Sequence, residues 1–174
     1  MTRHVAFLRG VNLGKRSVKS ADLKAAFEAM GFAGVKTLLA SGNVVFEADP
    51  AAVQQTAIES ALEAAFGFPI GTVLRRGDEI AAMIDSDPFG RVPEGADVKR
   101  YVMLFDVSPV PRPALVGVPG DFDVTRIDER EIYLLAYRLE NGRYGEGMDG
   151  IEKQLGKGLL VTTRNWNTII KAAA

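Results

Sequence analysis

Two short apolar runs, Val35 to Ala40 and Val44 to Ala48, are separated by nothing longer than Ser41-Gly42-Asn43. Glycine and asparagine readily take the positive φ of a tight hairpin, so these runs read as strands folded back on one another. What flanks the hairpin constrains the chain further. Before it, Leu23, Phe27 and Met30 recur at helical spacing behind Ser20 and Asp22, with Ser20 placed as the N-cap. After it, Asp49-Pro50 is a helix-opening pair, and Ile58, Leu62 and Phe66 fall on one face. Val5 to Val11 and Ile70 to Arg75 add a strand at either end. The first half therefore reads β-α-β-β-α-β, the order of a ferredoxin-like α+β domain, with Val5 to Val11 as a central strand because both of its faces carry apolar groups.

Gly77 to Asp85 reads as a short helix, and Asp87 to Gly95, rich in proline and glycine, as a linker. Beyond it come a strand over Arg100 to Asp106, a short helix around Ala114 to Gly117, and a hairpin of Phe122 to Ile127 with Glu131 to Tyr137. A helix over Ile151 to Leu155, a strand over Leu159 to Thr162 and a terminal helix from Asn165 complete the pass. The second half thus reads as a degraded repeat of the first unit, the alternative being one continuous sheet that it extends. The expected domains are 1–90, ferredoxin-like, and 91–174, a second α+β domain.

Composition excludes several chemistries. The 174 residues hold 21 basic and 22 acidic side chains, without the basic excess of a protein living on nucleic acid, so a nucleic-acid partner is not expected. There is no cysteine, which removes disulfides, thiolate metal sites and cysteine nucleophiles. His4 is the only histidine, which argues against a multi-histidine metal centre and leaves no evident general base; it reads as a strand-start residue near the surface. No cofactor or metal is expected. The N-terminal stretch lacks a signal-peptide pattern and no apolar run approaches membrane-spanning length, so the expected location is cytoplasmic.

In a ferredoxin-like sheet, the end of the first strand and the turn between the second and third share one rim. That gathers Arg9, Asn12 and Lys15 near Ser41 and Asn43, among glycines that let backbone N–H groups point at an anion. The expected ligand is a small phosphate or carboxylate. Gly10 to Ser17 falls short of a P-loop: three residues separate its glycines, and Arg16 stands where Ser or Thr would hold magnesium. The run Thr162 to Thr168 is dense in donors and carries the only tryptophan, so Arg164 and Asn165 join the candidates, while Trp166 reads chiefly as core. The competing readings are an enzyme on a phosphorylated metabolite and a structural or protein-interaction module.

Three stretches, Ala6 to Gly14, Ser41 to Phe46 and Thr163 to Thr168, together resemble the bacterial domain-of-unknown-function 1697 family. The resemblance implies an α+β, ferredoxin-like and duplicated fold. It implies no activity. Lys15 departs from the small residue the family often carries after the position matching Gly14.

Overall fold

The fold, given by a computed structural model, is described over residues 1–11, 17–39, 42–93, 95–109, 114–155 and 158–174. The chain divides into two compact units, Met1–Ala82 together with Lys171–Ala174, and Met83–Ile170.

The first unit runs β1 (Thr2–Arg9), α1 (Ser20–Ala29), β2 (Ala33–Leu38), β3 (Asn43–Ala48), α2 (Gln55–Phe66) and β4 (Gly71–Arg76), followed by α3 (Gly77–Asp85), which crosses into the second unit. Its antiparallel sheet has the order β2-β3-β1-β4. β1 is central, paired with β3 on one side and β4 on the other, and both of its faces are buried. Ala6 and Leu8 lie on the face covered by α1 and α2, in one core with Phe27, Phe46, Ile58 and Leu62. Phe32 stacks on Phe46 with ring centroids 4.5 Å apart.

Several local expectations need correcting. Ser20 is the first residue of α1, and the cap position is Lys19, which makes no side-chain cap bond. Asp49 does cap, accepting the Ala51 N–H at 3.0 Å, but it caps a 3-10 turn over Pro50–Ala52, and α2 begins only at Gln55. His4 is not near the surface. It is 3 % exposed and stacks on Phe46 at 5.4 Å, because its even position turns it toward the helix-covered face.

The second unit contains β5 (Val98–Phe105), β6 (Phe122–Ile127), β7 (Glu131–Tyr137), α4 (Ile151–Gln154), β8 (Val161–Asn165) and the start of α5 (Trp166–Ala173). Its sheet order, β6-β7-β5-β8, reproduces that of the first sheet position for position. The two sheets thus repeat one strand order and are separate rather than one continuous sheet, although the described residues between β5 and β6 hold no counterpart of α1. Met103, Phe105, Ile132 and Leu134 pack with Ile151 of α4. The short helix expected around Ala114 to Gly117 is absent: those residues carry no regular structure. The backbone carbonyl of Phe122 and the Cα of Asp123 crowd Gly117 so closely that a Cβ there would clash. No helix among the described residues is long and apolar enough to cross a membrane.

Candidate functional site

The rim of the first sheet comes together at the level of the backbone. The Leu8 N–H donates to the Gly42 carbonyl at 2.9 Å, joining the end of β1 to the β2-β3 turn. Gly42 has φ of 75°, and a Cβ there would stand 3.0 Å from Val11 and 3.1 Å from Leu8, so both conformation and space favour glycine. Arg9 closes β1, opposite Gly71, and is exposed. Asn43 lies on the same rim but is 1 % exposed, and its side-chain amide donates to the Leu38 carbonyl at 3.1 Å. It closes the turn from within. Asn12, Lys15 and Ser41 lie outside the described residues.

Arg164 and Asn165 belong to the second unit. Arg164 pairs with Val102 across the sheet, and its guanidinium donates to the Thr162 hydroxyl and, at 3.1 Å, to the Thr163 carbonyl. Burial pushes its pKa down to about 10, which leaves it a cation at neutral pH. Asn165 alternates to the other side of the strand, opposite Tyr101. Its Oδ1 accepts the Asn167 N–H at 2.9 Å and so satisfies a donor in the first turn of α5.

Asn165 also lines a cleft of about 430 Å³, together with Phe89, Lys99, Arg100, Trp166 and Asn167. A mismatch of strand lengths makes it. β8 pairs with β5 only from Tyr101 to Phe105, while β5 begins at Val98. Val98 to Arg100 therefore run past the last rung of β8, where the chain turns into α5 instead of continuing as strand.

The far wall is the Asp87-Pro88-Phe89 segment. The Thr125 hydroxyl donates to the Pro88 carbonyl at 3.0 Å, and Arg126 donates to Ser86 Oγ at 2.7 Å while pairing with Asp128 at 2.8 Å. Asp87 sits at φ 47°, a left-handed conformation that aspartate tolerates better than most residues. Phe89, inside the stretch expected as a linker, is core: its ring meets Trp166 at 5.1 Å and Tyr133 at 5.8 Å, both edge-on. Trp166 thus packs as core and walls the cleft at the same time.

The cleft is cationic. The Arg100 guanidinium lies 5.9 Å from the Phe89 ring centroid, and Lys99 Nζ lies 4.4 Å from that of Tyr144. Among the described residues, neither forms an ion pair with a carboxylate. Two amides, two cations and an aromatic wall can hold a planar or tetrahedral oxyanion. Sequence reading found Asn165 and the tryptophan but missed Lys99, Arg100 and Phe89. Nothing in their local pattern marks them, because the cleft arises from where two distant strands stop.

The fold and the cleft define an α+β protein of two topologically repeated four-stranded antiparallel sheets, with a small polar hollow at the end of the second. The chain belongs to the family described as Protein of unknown function (DUF1697), whose model matches residues 1–133 and so ends before the Thr163 to Thr168 run. It is similar to the solved structure of conserved bacterial protein SP0830 from Streptococcus pneumoniae, with a TM-score of 0.67 and 18 % identity over 99 % of this chain and 97 % of that one. At that identity the likeness speaks for the fold alone. No curated protein matches.

Proposed function

We propose that this protein binds a small phosphate- or carboxylate-bearing ligand in the cleft at the N-terminal end of β5. One observation carries the reading: Lys99 and Arg100 line a hollow of metabolite size, with Asn165 and Asn167 beside them, and among the described residues neither cation is ion-paired. A bound oxyanion would complete charge-assisted hydrogen bonds worth about 1.5–3 kcal/mol each. A binding role takes precedence over catalysis because, among the described residues, the cleft is lined by no histidine and by a single carboxylate, that of Asp87. The reading is that of a cytoplasmic protein.

Thermal denaturation against a panel of sugar phosphates, nucleotides and organic acids tests the proposal. A ligand should raise the melting temperature of the native chain and raise it much less for Arg100→Gln. Absence of any shift across the panel at millimolar concentration would remove the reading.

A second location is favoured by the Leu8–Gly42 backbone link, which brings exposed Arg9 and the β2-β3 turn to one rim. Asn12, Lys15 and Ser41 would supply the remaining donors, with Asn43 shaping the turn. Loss of the thermal shift in Arg9→Gln with retention in Arg100→Gln would assign the ligand to that rim.

A further inference from the structure

The first unit carries another cationic hollow, on the face of its sheet away from α1 and α2. It has a volume of about 440 Å³ and brings together Arg3 of β1, Lys36 of β2 and Lys171 of α5, over an apolar floor of Val45 and Leu38. Three elements distant in sequence thus direct cations at one space.

None of the three cations has an ion pair among the described residues. The Nε of Arg3 is buried and has no hydrogen-bond partner, an arrangement that proteins avoid unless something else satisfies the donor. Glu47 stands opposite Arg3 across the β1-β3 ladder without bridging to it. Its carboxylate lies instead over Gly34, where a Cβ would come within 3.5 Å of Oε2. Gly34, at φ 57°, sits where the β2-β3 register shifts, and this bulge opens the rim on that side.

We infer that this hollow is a second binding site, for a small organic oxyanion with a short apolar stem. The charged group meets Arg3, Lys36 and Lys171, with the Arg3 fork suited to two parallel hydrogen bonds. The stem lies on Val45 and Leu38, and Glu47 accepts a hydroxyl or ammonium donor from the ligand. This site shares no residue with the cleft of the second unit and does not depend on it.

The test is a titration of the full chain with inorganic phosphate, butyrate and butyl phosphate at matched ionic strength, followed by amide chemical shifts. Butyrate or butyl phosphate should move the resonances of Arg3, Lys36, Glu47 and Lys171 together, and at least one of them should bind more tightly than inorganic phosphate. Arg3→Gln and Lys171→Gln should each weaken that binding about tenfold, the loss of one charge-assisted contact, whereas Lys24→Gln on exposed α1 should not. Lys171→Gln lies on an exposed position and keeps the test open if Arg3→Gln fails to fold. Unmoved resonances with all three probes, or equal affinity in the native chain and Lys171→Gln, would overturn the proposal.

Discussion

Trp166 meets Phe89 edge-on, with ring centroids 5.1 Å apart and planes at 76°. The contact joins the first residue of α5 to a segment that proline and glycine would otherwise leave as a connector. Trp166→Ala should therefore destabilise the protein by about 3–5 kcal/mol, and Trp166→Phe by clearly less, because the smaller ring keeps part of the edge-on contact. Urea denaturation followed by far-ultraviolet circular dichroism measures both.

The same residue is the chain's only tryptophan and a wall of the cationic cleft. Ligand binding in that cleft should change its emission, and binding at the sheet face around Arg3 should leave the emission unchanged. A fluorescence titration separates the two sites without a variant.

Gly42→Ala should cost about 1–2 kcal/mol from the left-handed conformation alone. The approach to Leu8 and Val11 adds to that figure, since both neighbours sit in a packed core. The prediction is checked by the shift in urea midpoint, with the slope unchanged.

Asn43→Ala should cost about 1–3 kcal/mol, because the buried Asn43 side chain no longer donates to the Leu38 carbonyl. Thermal melts of this variant against the native chain provide the measurement. A result near zero would mean that the turn is held by its backbone bonds alone.

His4 should make stability fall at mildly acidic pH. Burial holds its pKa below the ordinary value, with the Arg76 charge acting in the same direction and the Ala48 carbonyl opposing. A group whose folded pKa is depressed favours the fold above its unfolded pKa, about 6.5 for histidine. That contribution is lost as pH drops below about 6.5 toward the folded value, since the unfolded chain then binds the extra proton. His4→Phe should flatten the melting temperature between about pH 7 and pH 5, and differential scanning calorimetry across that window reads it directly.

Much of the architecture is legible in the sequence because the strands mark themselves. Phe122 to Ile127 and Glu131 to Tyr137 are separated by turn residues at Asp128-Glu129, and the observed strands carry the same limits. Where a boundary moved, a competing local bond decided it. Asp49 had the chemistry of a cap, but its bond to Ala51 closed a single 3-10 turn and deferred α2 to Gln55. Ala114 to Gly117 carries no helix, and the chain instead closes a tight turn just beyond it, where the Val118 N–H donates to the Phe122 carbonyl at 2.9 Å and the backbone of Phe122 and Asp123 crowds Gly117. The sites were less legible. Asn43 looks like a ligand donor in sequence because amides in turns serve both purposes, and only burial shows what its Nδ2 holds. Arg3 carries no motif at all, and the absence of an ion pair for it among the described residues emerges only when Glu47, opposite it, is seen to turn away.

The early end of β8 has an evolutionary corollary. A hollow that exists because one ribbon stops three residues short of its neighbour can be deepened, narrowed or erased by a single insertion or deletion at Asn165, with no change to the sheet that supports it. Chain length at that one spot would then reshape the cavity before any residue in its wall is replaced.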